Sequence, residues 1–386
     1  MLEERLAREL AELRAKERGR EVADLCFEGP VTARDRAGGE YLVFSSNNYL
    51  GLTHADKVVD AAKKALAFGT GSGGSRLITG ASFAASDLER ELAAFTRAER
   101  ALIFNTGYMA NLGALYALAG KDDVIFSDEL NHASIIDGCR ISRARTLVYK
   151  HNDLEDLERL LKETGRAGQR FIVSDGVFSM DGDLADLPGL VVLKERYDAF
   201  LIIDDAHGAG VLGGDGSGTA AHYGLTGGVD LHIGTLSKAL ASEGGFAAGS
   251  GTVIEYLINK SRPFIFSTAL SAPSLAAAGA ALSLLREDPA YLRRLRENIA
   301  LARALLREGG VNVPEGITPI IPIIIGGAGR TTLAAAALRR RGVLVSGIRP
   351  PTVRDGTCRL RFTLSAAHTE EQIRRAAAAL SEVVGC

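Results

Sequence analysis

Leu2, Leu6, Leu10 and Leu13 recur at the spacing that lines one face of a helix, so the chain is expected to open with an amphipathic helix. Two short strand-like runs follow at 31–34 and 41–44, with the turn signal Gly38-Gly39 between them. From residue 56 onward, helical and strand patterns alternate. Helical spacing marks 56–68, 82–97, 107–119, 131–141, 153–162 and 187–197. Apolar strand runs mark 101–104, 124–127, 146–149, 170–174, 200–204, 231–234 and 246–248. Several of these runs are apolar at every position, as a sheet covered on both faces requires. The alternation predicts an α/β fold with a mostly parallel sheet and crossover helices.

The rhythm changes after about residue 270. An Ala/Leu-rich stretch at 271–287 leads into a second helical pattern at 289–307. Strand-like 320–325, helical 331–341, strand-like 344–346 and 358–364, and a final helix from Thr369 complete the chain. Few strands and helices segregated among them predict a smaller α+β domain. The expected organisation is a helix and strand segment at 1–50, a large domain at 51–290 and a small C-terminal domain at 291–386.

Composition narrows the functional classes. Over 386 residues, 45 Lys and Arg against 47 Asp and Glu give a formal charge of −2, which lacks the basic footprint of a nucleic-acid binder. No apolar run approaches the roughly 20 residues of a membrane-spanning helix. The first twenty positions are charged throughout and contain no apolar core of a secretory signal, so a cytoplasmic protein is expected. Cys26, Cys139, Cys358 and Cys386 are scattered and form no CxxC pair, which reads as reduced thiols with no metal site.

Two glycine patterns match GxGxxG, but neither has the context of a dinucleotide site. Gly69, Gly71 and Gly74 follow a helix where a strand is needed, and Gly208, Gly210 and Gly213 lead into further glycines where a helix is needed. The strand ending in Asp204-Asp205-Ala206-His207 is more informative, because open α/β sheets bind ligands at the carboxyl edge. Taken alone, the two acids are equally well explained as solvating the strand end. A second apolar strand ends in Thr235-Leu236-Ser237-Lys238 and runs on into small residues, which leaves little reason for a long cation unless something binds it. An amine with a lowered pKa there can form a Schiff base with a carbonyl. Asn105-Thr106-Gly107-Tyr108 places a glycine turn between a strand and a helix, where free backbone N–H groups make a phosphate cradle. His132 opens another helix after a strand, where a capping role is the plainer alternative. A phosphate cradle, a carboxylate, imidazoles and one lysine together suit pyridoxal phosphate.

At these residues the chain resembles the α-oxoamine synthases, a pyridoxal-phosphate family of the fold-type-I transferase architecture. The resemblance is carried by FSSNNYLGL at 44–52, GSGGSRLITG at 71–80 and DGVFSMDGD at 175–183. DDAHGAGVLG at 204–213, TLSK ending at Lys238 and STALSAP at 267–273 extend it. It implies that Lys238 carries pyridoxal 5'-phosphate covalently, that Asp204 pairs with the pyridine nitrogen, and that His207 and Ser179 bond the phenolic oxygen. His132 is implied to stack on the ring and to polarise the acyl or carboxylate group. The phosphate is implied to meet Gly107, Tyr108 and Thr235, with Ser267 and Thr268 supplied by the neighbouring subunit of a homodimer. Arg361, beside Asn47, is implied to bind the amino-acid carboxylate. Thr352 and an N-terminal arginine, Arg20 or Arg18, are implied to touch the acyl substrate. GIRPPTV at 347–353 and RLRFTLSAAHT at 359–369 are most similar to members that join L-alanine to a pimeloyl thioester, on coenzyme A or a carrier protein, with loss of CO2. Sister members that use glycine or serine, and a non-catalytic subunit of the same fold, are the alternatives. Arg354 stands where the family often has proline.

Overall fold

The apolar runs between residues 100 and 249 assemble into one seven-stranded sheet. Its order is Arg100–Phe104, Gly245–Gly249, Leu231–Thr235, Ala199–Asp204, Arg170–Asp175, Val124–Asp128 and Arg145–Tyr149. Gly245–Gly249 runs antiparallel to both neighbours, and the remaining pairs are parallel. This is a computed structural model, and it describes residues 1–165 and 168–385. Cys386 lies outside the described residues.

Helices cover both faces of the sheet, which explains the apolar runs of its central strands; the edge strand Arg145–Tyr149 is more exposed. On one face, Gly107–Leu118, Ala133–Ser142 and Gly251–Lys260 pack through Ala114, Ile135 and Ile254 onto Phe104, Ile125 and Ile233. On the other, Leu157 and Leu161 of Leu154–Glu163 join Leu190 and Leu193 of Leu187–Tyr197 over Phe126, Ile172 and Leu201. Gly251–Lys260 is not among the expected helices, although Val253, Ile254, Leu257 and Ile258 recur at helical spacing and pack on this face of the sheet. It is started by Ser250, whose Oγ accepts from the Val253 N–H.

Cα packing divides the chain into two units. The sheet belongs to the one formed by residues 52–179 and 183–292, and the other holds residues 1–51, 180–182 and the chain from Arg293 onward. The second unit has its own two small sheets. One orders Leu25–Gly29, Thr32–Asp35, Glu40–Val43 and Val343–Leu344, and the other orders Ile320–Gly326, Cys358–Thr363 and Ser346–Ile348. Leu25–Gly29 is not marked by the hydrophobic pattern because Cys26, Phe27 and Glu28 in its middle are all exposed. The strand expected at 344–346 is two pieces, since Leu344 pairs with Val43 and Ser346 with Arg361, and the chain changes sheets at Val345. The opening helix, Leu2–Ala15, has its leucine stripe but buries none of it within the chain. Among the described residues, no helix is long and apolar enough to cross a membrane, and no cluster of three His, Cys, Asp or Glu suits a metal ion.

Candidate active site

Asp175, Asp204 and Ile233 stand in register on three adjacent strands, so the carboxyl edge of the sheet begins at that row. Asp204 is only 5% exposed. Its Oδ2 accepts from Asn111 Nδ2 at 2.6 Å and its Oδ1 from the Ala206 N–H at 2.9 Å. Asn111 lies one helical turn after Gly107 and also donates to Ser134 Oγ at 2.9 Å, which fixes the amide. The second acid, Asp205, turns to a different task. It accepts from the Thr219 N–H at 2.7 Å and from the Thr219 hydroxyl, and burial pushes its carboxyl up to about 6. The glycines after it serve close packing: a Cβ on Gly218 would lie 1.9 Å from Asp205 Oδ2, and one on Gly210 would lie 2.4 Å from the Cβ of Ala239, next to Lys238.

Lys238 follows the strand Leu231–Thr235 and is half-buried. Its charge acts on both His132 and Asp175, as does that of Asp204, so these four groups form one electrostatic cluster. Burial lowers the His132 imidazole below its ordinary value, Asp204 opposes this and Lys238 adds to it. Burial, followed by the charge of Asp204, pushes the Asp175 carboxyl well above the usual range. Asp175 Oδ2 accepts the backbone N–H of His132 at 2.7 Å, which anchors the start of the helix Ala133–Ser142. The Ser134 N–H meets His132 Nδ1 at 3.3 Å. A backbone N–H can only donate, so Nδ1 accepts and the neutral ring carries its proton on Nε2.

The helix Gly107–Leu118 is capped by Thr106 Oγ1, which accepts from the Met109 N–H at 3.0 Å and leaves the N–H groups of Gly107 and Tyr108 for a ligand. The two elements beside this turn are pressed together. A Cβ on Gly245 would lie 2.4 Å from Gly107 N, and one on Gly107 would lie 3.4 Å from Thr235 Cβ. Thr235 Oγ1 adds a hydroxyl that already contacts Ser237 Oγ at 2.7 Å. Open N–H groups and a hydroxyl at a helix start suit a phosphate. The Tyr108 hydroxyl is taken by Asp137, so the backbone of Tyr108 is the part available there. Ser267 and Thr268 line a cavity with Arg76 and Phe264, and the Thr268 carbonyl accepts from Asn105 Nδ2 of the same chain at 2.9 Å.

His207 is buried in the turn after Asp204, and Ser179 is half-buried in the loop between Asp175 and Asp183. That loop is closed by the Phe178 N–H donating to the Asp183 carbonyl at 3.0 Å. His151 fastens it from outside, with Nδ1 3.0 Å from Asp128 Oδ1 and Nε2 2.8 Å from Asp183 Oδ2. Burial opposes a charge on His151, but bonding to the two carboxylates outweighs it and pushes the imidazole up to about 10.

In the other unit, Arg361 is 4% exposed on the strand Cys358–Thr363. Its Nη1 donates to Asn47 Oδ1 at 3.0 Å and its Nη2 to the Tyr49 hydroxyl at 3.3 Å. Arg20 Nη2 lies 3.4 Å from Thr352 Oγ1, whereas Arg18 Nη2 contacts both oxygens of Asp355 at 2.6 and 2.8 Å. The two arginines are thereby distinguished: one is spent on an internal carboxylate and the other sits at Thr352. Arg349 holds the segment that carries them through the carbonyls of Glu17 and Gly19, at 2.6 and 3.1 Å. Arg354 accepts the Thr357 N–H and hydroxyl on its carbonyl, a turn that needs no proline.

Sequence reasoning singled out neither Asn111 nor Asp175, nor Tyr49 and His151. Asn111 is the polar position four residues after Gly107, and Asp175 is the first acid of DGVFSMDGD, but nothing local says which groups they meet.

Residues 39–380 match the family described as aminotransferase class I and II. The chain is 50% identical over 349 residues to an 8-amino-7-oxononanoate synthase of Geobacter sulfurreducens, covering 90% of this chain and 89% of that protein. It is 49% identical over 341 residues to 8-amino-7-oxononanoate synthase 2 of Bacillus subtilis, covering 88% and 87%. A solved serine palmitoyltransferase, described as carrying a PLP internal aldimine, superposes with a TM-score of 0.92 at 30% identity, covering 98% of this chain and 96% of that one. Identity of this extent, over a matching fold, decides the lineage: the chain belongs to the class I and II aminotransferase family and, within it, to the α-oxoamine synthases.

Proposed function

We propose that this chain catalyses the decarboxylative condensation of L-alanine with a pimeloyl thioester to form 8-amino-7-oxononanoate, a step of biotin synthesis. The observation that carries the reading is a buried carboxylate, Asp204, held by Asn111 one strand away from the strand that delivers Lys238. The identity of about half with synthases so named supports the choice of substrates.

The residues fit pyridoxal 5'-phosphate. A dry carboxylate at Asp204 suits a protonated ring nitrogen, and the Gly107 and Tyr108 amides with Thr235 suit a phosphate. His207 and Ser179 would take the phenolic oxygen and Lys238 the aldehyde. When bound, the cofactor supplies an electron sink for the charge left on the α-carbon. Lys238 Nζ takes the α-proton of L-alanine as general base. Arg361 and Asn47 hold its carboxylate, for which a guanidinium fork is well shaped. His132, neutral with its proton on Nε2, donates to the acyl or carboxylate oxygen, and burial keeps it uncharged for that task. Arg20 and Thr352 receive the acyl substrate. The proposed working form is a cytoplasmic homodimer in which each chain lends Ser267 and Thr268 to its neighbour's phosphate.

Mass spectrometry of the purified holoenzyme with L-alanine and pimeloyl-CoA tests this. Formation of 8-amino-7-oxononanoate is expected with alanine, and not with glycine or serine. Borohydride should fix the cofactor to the peptide containing Lys238, and Lys238→Ala should lose both adduct and product. Turnover with serine or glycine in place of alanine would move the chain to a sister activity, and an adduct at another lysine would overturn the site.

A further inference from the structure

Asn47, Tyr49 and Arg361 form a closed triangle of hydrogen bonds: Arg361 Nη1 to Asn47 Oδ1 at 3.0 Å, Tyr49 Oη to Asn47 Oδ1 at 3.0 Å, and Arg361 Nη2 to Tyr49 Oη at 3.3 Å. The direction of every bond in it is forced. A guanidinium can only donate, so both contacts of Arg361 run outward from it. The phenol has a single hydrogen, which it cannot give to Arg361, so it gives it to Asn47. Asn47 Oδ1 therefore receives two donors and fills both of its lone-pair positions. A flipped amide would set its N–H2 against the guanidinium N–H, donor against donor. The orientation is thus decided: the oxygen of Asn47 faces inward and its N–H2 is the edge left for a ligand.

Burial makes this arrangement firm. Tyr49 is fully buried, and burial raises its phenol above the ordinary value, so it keeps the proton on which the pattern depends. Its backbone is tied down as well, with the Ala366 N–H donating to the Tyr49 carbonyl at 2.7 Å. That bond fastens the segment around Asn47 to the chain just beyond the strand of Arg361. The Asn47 N–H2 then stands beside a guanidinium, and two neighbouring donor groups suit the two acceptor oxygens of a carboxylate.

We propose that Tyr49 is a positioning residue for amino-acid recognition: its hydroxyl locks Asn47 and Arg361 into a donor-only clamp for the substrate carboxylate. This rests on the assignment of Arg361 to that carboxylate. Tyr49→Phe keeps the ring but removes one of the two donors to Asn47 Oδ1 and the acceptor met by Arg361 Nη2, so the amide and the guanidinium are each held by one bond fewer.

The test is made on the holoenzyme by following the cofactor's visible absorbance during titration with L-alanine and, separately, with L-alaninol, which has the same amine and no carboxylate. In Tyr49→Phe the dissociation constant and KM for alanine should rise about tenfold, roughly one lost hydrogen bond to a charged group. Binding of alaninol, KM for the pimeloyl thioester and kcat should stay within about twofold. In an Asn47→Ala background the same substitution should cost less than about threefold, since its target has gone. Equal weakening of alanine and alaninol, or full additivity with Asn47→Ala, would overturn the proposal. Unchanged alanine affinity in Tyr49→Phe, with affinity lost in Arg361→Lys, would remove Tyr49 alone and leave the carboxylate assignment standing. Unchanged affinity in Arg361→Lys would overturn that assignment itself, and the clamp with it.

Discussion

His151 and His368 stand in the same chain with opposite protonation, and their neighbours account for the difference. His368 stacks on Phe44 at 4.0 Å with its ring 4° from parallel, accepts the Ser365 N–H on Nδ1 and reaches the Val43 carbonyl with Nε2. It faces backbone and an aromatic ring, and burial pushes it down to about 4. His151 has a carboxylate at each nitrogen, so both must donate and the ring is held as a cation. These shifts act on stability with opposite signs. An unfolded histidine binds its proton near pH 6.5, so His368 contributes stability that is present above that value and is lost as pH falls through about 4. His151 contributes stability that is full below about 6.5 and is lost as pH rises through about 10. Urea unfolding should therefore show the gap between wild type and His368→Phe widening from pH 4 to 6.5, and the gap for His151→Gln narrowing from pH 6.5 to 10. Parallel curves for either pair would contradict the assigned protonation state. Neither role was legible in the sequence, because the partners of His151 lie 23 and 32 positions away and the carbonyl that meets His368 lies 325 away.

At the scale of elements, the candidate site is made where strand ends and helix starts meet. The sequence pattern located nearly all of these elements, because burial on both sides of the sheet writes itself as unbroken apolar runs. It left out Leu25–Gly29, whose middle is exposed, and Gly251–Lys260, whose apolar positions do recur at helical spacing, and it joined two short strands that pair with different sheets. The approach of Gly245–Gly249 to the start of Gly107–Leu118 is closer than any side chain permits. Gly245→Ala would put a methyl group 2.4 Å from Gly107 N, so the helix start must move away. The expected outcome is a fall of at least about tenfold in pyridoxal phosphate affinity, equivalent to about 1.4 kcal/mol, with far-UV circular dichroism unchanged. Affinity at the wild-type level would show that the phosphate is held elsewhere.

At the scale of the whole molecule, the proposal that Ser267 and Thr268 serve the neighbouring subunit makes the dimer a condition for activity. Lys238→Ala and Thr268→Ala chains should each be impaired alone. Refolded together in equal amounts, half of the dimers are mixed and one of their two sites is intact, so roughly a quarter of wild-type activity should return. No recovery, with mixed dimers demonstrated by mass, would mean that Thr268 acts within its own chain, where its carbonyl already meets Asn105. What the sequence determined unaided was the alternation of elements, the sheet edge at Asp204 and Lys238, and the open helix start at Gly107. Each of these is written in local patterns of apolar, glycine and charged positions. Tertiary structure alone decided that Asp205 ties a loop while Asp204 faces the edge, that Arg18 is spent on Asp355 while Arg20 meets Thr352, and that Tyr49 and Arg361 both donate to the amide oxygen of Asn47. These choices depend on which hydrogen-bond partners distant segments bring within 3 Å or so, and folding, not local spacing, sets that distance.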